Sequence, residues 1–468
     1  MKAGASSGMA AADTRMEHDL LGAQPVPAAV YWGLHTLRAS ENFRLTGRSV
    51  PPALIGALAL VKKACALANR ELGYLAADKA EAIVRACDEI VAGGLRDQFP
   101  LDALQGGAGT STHMNVNEVV ANRALELLGA AKGDYARVHP LEDVNRHQST
   151  NDVYPTALRI AAIRGLRTLS AALAGLQGAC QHKEQEFAGV VKMGRTEMQD
   201  AVPMTLGAEC SAWAEAFARD RWRTFKAEER LRVVNLGGTA IGTGLTAPRN
   251  YIFLVIEKLR DVTGLGLTRA DNLVEATANA DAFVEVAGLL NACAANLTKV
   301  ARDARLLHLL GELRVPAVQA GSSLMPGKVN PVLLEAAQAA GMTVRAQCAL
   351  IAEAAAAGTL QLNEFLPVIA AALLEALHLL EQTAVMLTPH IAGFAADEAV
   401  CRQRVDHSPA LITALLPYLG YERAQTLSRE FQASGGMDFR AFLIAKLGQE
   451  IVEQALSPEN LTALGYIT

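Results

Sequence analysis

Long segments of helical periodicity constrain the fold of this 468-residue chain more than any other feature. Apolar side chains recur every three to four residues, while the alternating pattern of strands is scarce. The helices predicted from this pattern are 53–70, 76–92, 117–128, 155–187, 205–231, 271–308, 331–357 and 366–387. Several are longer than about 25 residues, which favours a bundle of long helices. The predicted fold class is all-α.

Breaks that contain Gly or Pro divide these helices into three regions. A chain of this length has room for two or three domains with a large buried core. The breaks lie near residues 137–140 and 388–397. We therefore expect an N-terminal domain at 1–139, a central helical bundle at 140–393 and a small C-terminal domain at 394–468. Residues 1–15 are expected to form a disordered tail.

Charge and cysteine content limit the partners of the protein. The net charge is −5 and basic residues are scattered, so nucleic acid is not an expected partner. The chain lacks both an uncharged stretch long enough to span a membrane and the apolar segment of a secretory signal, so we expect no membrane association. Its seven cysteines are widely spaced without a CxxC pair, which indicates reduced thiols in a cytoplasmic protein rather than a zinc site.

The residues most indicative of chemistry lie in one loop, Gly-Ser-Ser-Leu-Met-Pro-Gly-Lys-Val-Asn-Pro at 321–331. Its glycines permit the backbone to move and its prolines restrict it. Ser322 and Ser323 are adjacent hydroxyls, and Lys328 and Asn330 could hold a carboxylate. An ordinary turn between helices does not need that cation and amide together. The pattern therefore indicates a mobile loop with a proton acceptor and a carboxylate-binding group.

Three further polar segments interrupt the apolar background. Residues 106–118 place glycines and hydroxyls ahead of a helix, an arrangement suited to binding an anion. Residues 147–152, His-Gln-Ser-Thr-Asn-Asp, precede another long helix. Residues 193–203 form the third segment. Helix capping alone is an equally good explanation of the first two, because Ser, Thr, Asn and Asp are preferred at that position.

Together these segments resemble the aspartase/fumarase superfamily over nearly the whole chain. The loop matches the family motif GSSxMPxKxNP at every fixed position, and the stretches 31–38, 41–43, 105–109, 234–237 and 240–245 agree as well. The runs at 204–207 and 318–323 look more like aspartate ammonia-lyases than fumarases. The resemblance implies a homotetramer whose central helices form a twenty-helix core. It also implies active sites that take the polar segments from three subunits.

The family reaction is an anti β-elimination next to a carboxylate, on a small-molecule substrate and without a cofactor. The resemblance assigns the base to Ser322, which requires an amide nest or a nearby cation because a free hydroxyl is a weak base. The alternative for this serine is a turn hydroxyl bonded to its own backbone. The resemblance assigns substrate binding to Thr110, Ser111, His113, Ser149, Thr150, Asn151, Thr196, Glu197, Ser323, Met325, Lys328 and Asn330. No metal ligand is expected.

Three departures from the family pattern concern substrate choice. Glu197 replaces the usual His or Gln and would favour a cationic leaving group, unless it is a solvated surface charge. His113 alters the family's NMN, either as a wall of the pocket or as a buried structural imidazole. The family's SGPRxGxxE element is shortened between Arg305 and Pro316, which should open space. These changes predict an ergothionase, which releases trimethylamine from ergothioneine. The alternative is release of ammonia from L-aspartate.

Two other classes of function are less favoured. Gly242-Thr-Gly244 resembles part of a dinucleotide-binding loop, yet the sequence around it lacks the βαβ pattern that such a loop requires. A catalytically silent scaffold is known in the superfamily, where a member serves as a lens crystallin. Retention of the reactive loop together with Thr196 and Asn151 argues against that role.

Overall fold

The structure, a computed structural model, describes residues 13–463 and 465, and most of them are helical. The all-α prediction is confirmed. In chain order the elements are β1 (Thr14–Asp19), β2 (Gly22–Pro27), α1 (Leu34–Asn42), α2 (Pro52–Glu71), α3 (Ala77–Val91), α4 (Thr110–Leu127), α5 (Thr150–Glu186), β3 (Val191–Thr196), β4 (Gln199–Thr205), α6 (Leu206–Leu231), β5 (Val233–Val234), α7 (Arg249–Thr263), β6 (Thr268–Arg269), α8 (Leu273–Ala278), α9 (Asp281–Leu309), β7 (Leu313–Arg314), α10 (Val332–Ala356), α11 (Leu366–Ala392), β8 (Ala395–Ala396), α12 (Glu398–His407), α13 (Leu416–Leu419), α14 (Tyr421–Ser434), α15 (Phe439–Leu447), α16 (Gln449–Ala455) and α17 (Pro458–Thr462).

The strands pair only in twos within the described part of the chain. β1 with β2, β3 with β4 and β7 with β8 are antiparallel, whereas β5 and β6 are parallel. In the β3–β4 hairpin Val191 faces Thr205 and Thr196 faces Gln199, and the register shifts between Met193 and Arg195. These ribbons are too narrow to form a layer of the fold. They serve to shape the connections between helices.

The chain divides into two compact units, each assembled from separate stretches of sequence. The first unit contains the described residues up to Arg167, together with Thr224–Asn291 and Val344–His378. The second contains Thr168–Arg223, Ala292–Thr343 and the described residues from Leu379 onward. The three-domain division at residues 139 and 393 stays a prediction.

Helix α2 is the centre of the first unit, where it packs against α3, α7 and α4. It begins with Pro52, which suits a first helical turn because the proline lacks the N–H that would be unpaired there. Leu54, Leu58 and Val61 are fully buried along its inner face. Burial of one such side chain is worth about 1.5–3 kcal/mol, so this face makes a large contribution to the stability of the unit.

The C-terminal helices of the second unit enclose an apolar cluster that reaches the β3–β4 hairpin. Met193 of β3 is fully buried there, and Phe431 and Phe439 lie with their ring centroids 4.6 Å apart. α12 packs on β3, while α17 and a short 3₁₀ turn at Pro409–Leu415 pack on β4. This packing fixes the base of the hairpin.

Several element boundaries differ from the predictions. Helix α4 starts seven residues before the predicted 117, α5 starts five before 155, and the predicted helix 271–308 is interrupted after Ala278. The expected tail at 1–15 lies largely outside the described residues, but Thr14 and Arg15 belong to β1, so the prediction is wrong at those two positions. Helices α2 and α11 are long and apolar enough to cross a membrane by composition. Burial of 72% and 56% of their apolar windows is typical of core helices.

Candidate active site

Helix α4 begins after a tight turn whose last residue, Gly109, has no room for a side chain. Gly107, Ala108 and Gly109 have positive φ angles of 81°, 56° and 91°, and the helix starts at Thr110. A Cβ on Gly109 would lie 2.4 Å from the ring of Tyr154 in α5. This close approach brings the starts of α4 and α5 together. The N–H groups of Thr110 and Thr112 are already bonded, to the Gly107 carbonyl and to Oε1 of Gln105 at 2.9 Å each. The attraction for an anion beside the partly exposed Thr110 therefore comes from the positive end of the helix dipole.

Helix α5 begins with reciprocal capping bonds. The backbone N–H of Ser149 donates to Oδ1 of Asp152 at 2.9 Å, and the Ser149 hydroxyl accepts from the N–H of Asn151 at 3.3 Å. Pro155 has no N–H to donate to the carbonyl of Asn151. That carbonyl accepts from Nδ2 of Asn235 at 2.9 Å instead. The proline therefore lies inside the first turns of α5 without leaving an unpaired acceptor.

The glycine segment at 237–245 is attached to the start of α5. Oδ2 of Asp152 accepts from the N–H groups of Gly237 and Thr239 at 3.0 and 3.1 Å, and Nδ2 of Asn151 donates to the carbonyl of Ala240 at 2.7 Å. Burial raises the pKa of the Asp152 carboxyl to about 6, against the effect of its backbone donors. The glycine segment that resembles a dinucleotide-binding loop thus supports the residues predicted to bind substrate.

His113 connects the two helix starts through a buried hydrogen-bond chain. Its Nδ1 lies 2.8 Å from the Thr150 hydroxyl, and its Nε2 contacts the ammonium nitrogen of Lys62 in α2. Lys62 also donates to Oδ1 of Asn145 at 2.8 Å and to Oε1 of Gln148 at 2.7 Å. His113 is buried with both ring nitrogens engaged. This arrangement matches the structural imidazole considered above and not a pocket wall.

Lys62 and Asp152 were not among the residues predicted for the site. The Lys62 side chain is fully buried, and desolvation lowers the pKa of its ammonium to about 7. A sequence signal for this lysine exists, because it lies four residues after Leu58 and three before Cys65 on the apolar face of α2. Its adjacent Lys63 is an ordinary partly exposed lysine paired with Asp88.

The tip of the β3–β4 hairpin carries Thr196 and Glu197, and both are exposed. Glu197 and Met198 have φ angles of 52° and 59°, which is the backbone of a type I′ turn built without Asn or Gly. A left-handed backbone conformation at a residue other than glycine costs on the order of 1 kcal/mol, and this turn contains two such residues. Exposure of Glu197 within the chain matches the solvated charge considered above.

Glu312 anchors this hairpin from the shortened segment that follows α9. Its carboxylate is fully buried and accepts two bonds from Arg195, at 2.9 and 2.6 Å. The Lys192 ammonium lies 3.8 Å from the same carboxylate. Because Arg195 immediately precedes Thr196, the ion pair holds the predicted substrate-binding threonine in position.

Hydrogen bonds join the two ends of the reactive loop, while its tip is exposed. The N–H of Gly321 donates to the carbonyl of Lys328 at 2.8 Å, and Nδ2 of Asn330 donates to the carbonyl of Gly321 at 2.7 Å. The Ser322 hydroxyl accepts from the N–H groups of Leu324 and Met325 at 3.1 and 2.8 Å. These bonds form a serine turn, and the same two donors stabilise negative charge on Oγ. Ser323, Met325 and Lys328 are exposed.

Alanine at Gly321 is expected to lower kcat/KM by about tenfold or more while the thermal midpoint of unfolding stays nearly unchanged. A Cβ there would lie 2.7 Å from two backbone atoms, the N of Asn330 and the O of Lys328, so the base of the loop must open. Gly327 is the matched comparison, since alanine there meets open space and only its φ of 79° is unfavourable. Equal effects at the two glycines would contradict this account of the loop.

The structure groups the predicted residues into two sets, one in each unit. Those of the first unit gather at the starts of α4 and α5, and they are Thr110, Ser111, His113, Ser149, Thr150 and Asn151. Those of the second unit lie on two exposed segments, the hairpin tip and the loop, and they are Thr196, Glu197, Ser322, Ser323, Met325, Lys328 and Asn330. Clusters of three or more His, Cys, Asp or Glu suited to a metal are absent from the described residues.

Comparison with known proteins identifies the family of the chain. A family described as Lyase matches residues 22–346. An aspartate ammonia-lyase from Pseudomonas canavaninivorans is 46% identical over 464 residues, which covers 97% of this chain and 98% of that protein. The aspartate ammonia-lyase of Bacillus subtilis is 44% identical and covers 96% of each chain.

Two solved structures share the fold over almost the full length. A fumarate lyase:delta crystallin from Brucella melitensis, determined with cobalt bound, is 44% identical with a TM-score of 0.92, and the match covers 97% of this chain and 100% of that one. A class II fumarase from Schistosoma mansoni is 31% identical with a TM-score of 0.90, covering 95% and 98%. The chain belongs to the aspartase/fumarase superfamily. It is a carbon–nitrogen lyase.

Proposed function

We propose that the protein is an aspartate ammonia-lyase that converts L-aspartate to fumarate and ammonia. The observation that carries this proposal is the Ser322 hydroxyl, which accepts two backbone N–H bonds in a loop that also bears Lys328 and Asn330. Relatives named aspartate ammonia-lyase at 44–46% identity over nearly the whole chain favour this substrate over ergothioneine.

The proposed reaction is an elimination across the bond between the α and β carbons. Ser322 takes a proton from the β carbon, the C–H electron pair becomes the second bond of the alkene, and the nitrogen leaves with the electrons of the C–N bond. The two amides on Oγ, with Lys328 in the same loop, favour the ionised serine that this step requires. Ordering of the loop over the substrate would exclude water.

The other predicted residues would hold the two ends of the substrate. Lys328, Asn330 and Thr196 would bind the α-carboxylate. Thr110, Ser149, Thr150 and Ser323 would bind the β-carboxylate, helped by the positive ends of the helix dipoles at the starts of α4 and α5. Asn151, Thr110 and Glu197 would surround the leaving amine. Ser111 and Met325 would complete the lining, and His113 would act through Thr150.

We further propose a homotetramer in which three subunits contribute to each active site. Two features support this assembly: the predicted residues fall in two sets, and large apolar side chains remain exposed on the long helices. Trp222 of α6 is 63% exposed and Met342 of α10 is 63% exposed, as expected for surfaces covered by other subunits. A location in the reducing cytoplasm fits the seven buried free thiols.

Glu197 supports a second candidate, the release of trimethylamine from ergothioneine. A carboxylate at this position stabilises a cation that cannot donate hydrogen bonds, whereas aspartases carry His or Gln here. The Glu197 carboxylate is exposed at the tip of the hairpin, where it can meet a cation of the substrate.

Incubation of the purified protein with L-aspartate and, separately, with ergothioneine distinguishes the two candidates. Ammonia and the ultraviolet absorbance of fumarate are expected from aspartate. Trimethylamine from ergothioneine, with aspartate inert, would reverse the assignment. Failure of both substrates would overturn both candidates.

The Glu197→Gln variant tests the carboxylate directly. If the substrate is aspartate, we expect activity within about tenfold of the unsubstituted enzyme, because glutamine occurs at this position in aspartases and still accepts a hydrogen bond from an ammonium group. If the substrate is ergothioneine, the loss should be about a hundredfold, since the amide removes the charge opposite trimethylammonium. The measurement is kcat/KM on each substrate, with the thermal midpoint as the folding control. Undiminished ergothioneine turnover would contradict the role given to the carboxylate.

A further inference from the structure

The first unit contains a buried lysine and histidine that the proposed reaction does not use. Lys62 and His113 form a chain that ends at the Thr150 hydroxyl, the group assigned to the distal end of the substrate. We propose that Lys62 and His113 set the direction of the Thr150 hydrogen bond, so that Thr150 donates to an anionic substrate group only while Lys62 is protonated. This inference rests on the proposed function for the place of Thr150 at the substrate.

Counting hydrogens at Lys62 determines the state of the chain. The nitrogen faces three acceptors, which are Oδ1 of Asn145, Oε1 of Gln148 and Nε2 of His113. The two amide oxygens point at the lysine because their NH₂ groups donate elsewhere: Asn145 to the carbonyl of Gln148, and Gln148 to the carbonyls of Val144 and Arg146. An ammonium group has three hydrogens and satisfies all three acceptors.

Protonated Lys62 therefore requires an unprotonated Nε2 on His113. The imidazole is neutral, because burial and then the Lys62 charge lower the pKa of His113 well below its usual range. Its single proton must lie on Nδ1 and is donated to the Thr150 oxygen at 2.8 Å. The hydrogen of the Thr150 hydroxyl is then free to point at a ligand, and a carboxylate is the matching acceptor.

Loss of one proton from Lys62 reverses the chain. A neutral amine keeps two hydrogens on the amide oxygens and presents a lone pair to His113. The lysine proton passes to Nε2, the Nδ1 proton passes to the Thr150 oxygen, and the original hydroxyl hydrogen is released to solvent. Thr150 then donates to Nδ1 and presents only lone pairs to a ligand. An anion facing those lone pairs is bound less tightly.

The groups around Lys62 place this change near neutral pH. Burial lowers the pKa of Lys62 to about 7, while the charge of Asp152 on α5 raises it. Cys65 on the same helix and Cys87 on α3 also face Lys62. Both thiols stay neutral in this range, since burial raises the pKa of each to about 12. His35 on α1 lowers the pKa of His113, and Tyr251 on α7 stays a neutral phenol because burial raises its pKa well above its usual range. The donor state is thus present below about pH 7 and is lost above it.

Neutron diffraction from the full-length protein at about pH 5.5 and about pH 9 tests the chain directly. We expect the His113 hydrogen on Nδ1 at the lower pH and on Nε2 at the higher pH. The same ring nitrogen protonated in both crystals would overturn the proposal. This readout does not depend on catalysis, so it remains decisive even if aspartate proves not to be the substrate.

Inhibition by succinate, a dicarboxylate without an amine, tests the effect on the ligand. For the unsubstituted enzyme we expect the inhibition constant to rise about tenfold between about pH 6 and about pH 9. The Lys62→Met variant lacks the titrating group, so we expect its inhibition constant for succinate not to rise with pH. Lys63→Met is the matched control and should keep the rise, because Lys63 is paired with Asp88 at 2.6 Å outside this chain of bonds.

The His113→Asn variant keeps the proposal testable if Lys62→Met does not fold. An asparagine can accept from Lys62 through Oδ1 and donate to Thr150 through Nδ2, and it has no second tautomer. It should bind succinate with the affinity seen at low pH across the whole range. A pH-dependent rise that persists in His113→Asn, or a tautomer change without any change in succinate affinity, would overturn the proposal.

Discussion

Replacement of Ser322 with alanine is expected to lower kcat by about a thousandfold while KM stays within about twofold. The reason is that the hydroxyl is proposed to act only in proton removal, and it contributes little to holding the ground state. The variant loses the bonds that Oγ accepts from the N–H groups of Leu324 and Met325, but it keeps the bonds at the base of the loop, from the Gly321 N–H and from Nδ2 of Asn330. The rate of alkene formation, followed by ultraviolet absorbance, gives both constants.

Ser323→Ala is the informative comparison, because the neighbouring hydroxyl is assigned to substrate binding. We expect this variant to raise KM by about tenfold with a smaller change in kcat. Both serines lie in an exposed loop, so neither variant should shift the thermal midpoint of unfolding. If Ser322→Ala retained a tenth or more of the kcat, on the order of 1 kcal/mol of barrier, the serine would not be the base.

Replacement of Glu312 with glutamine is expected to lower the free energy of unfolding by about 3–5 kcal/mol. Its buried carboxylate accepts two bonds from Arg195 and lies 3.8 Å from Lys192. The amide would remove the buried charge that faces both cations and turn an NH₂ donor toward an Arg195 donor, leaving Arg195 paired only with Asp200 at 3.1 Å and Lys192 only with Glu209 at 2.7 Å. The same change would release the strand that ends at Thr196. Urea unfolding measures the stability, and KM measures the effect on the hairpin.

Glu335→Gln provides the matched control for this effect. Glu335 pairs with Arg305 at 3.1 Å, but its side chain is 46% exposed, so water screens the pair. We expect a change within about 1 kcal/mol. A similar small loss at Glu312 would show that burial of the pair does not raise its importance, which would contradict the anchoring role proposed here.

Helix periodicity predicted the long helices well, because their apolar faces must be buried wherever they pack. The bounds of α2, α3, α6 and α10 lie within about two residues of the prediction. The starts of α4 and α5 were missed because their first turns are polar. Tertiary contacts hold both starts, through Gly109 against Tyr154 and Asn235 on the carbonyl of Asn151. Local periodicity contains no information about such partners.

The β3–β4 hairpin was also missed, for a reason visible at its tip. Two-residue hairpins are recognised by Asn-Gly or Asp-Gly, and this one turns through Glu197 and Met198 in a left-handed conformation. Burial of Met193 and the Glu312 ion pair impose that backbone. The residue types at the tip oppose the turn, so only the surrounding packing can maintain it.

The sequence by itself determined the all-α class, the superfamily and the residues of the reactive loop, because periodicity and a contiguous motif depend only on near neighbours. The tertiary structure decided the hydrogen-bond partners and the pKa of Lys62. Its partners Asn145 and Gln148 lie 83 and 86 residues away, and its pKa of about 7 results from the loss of water around it. Desolvation and hydrogen-bond direction depend on atoms brought together by folding, so one lysine of an adjacent pair became part of a buried chain while Lys63 remained at the surface.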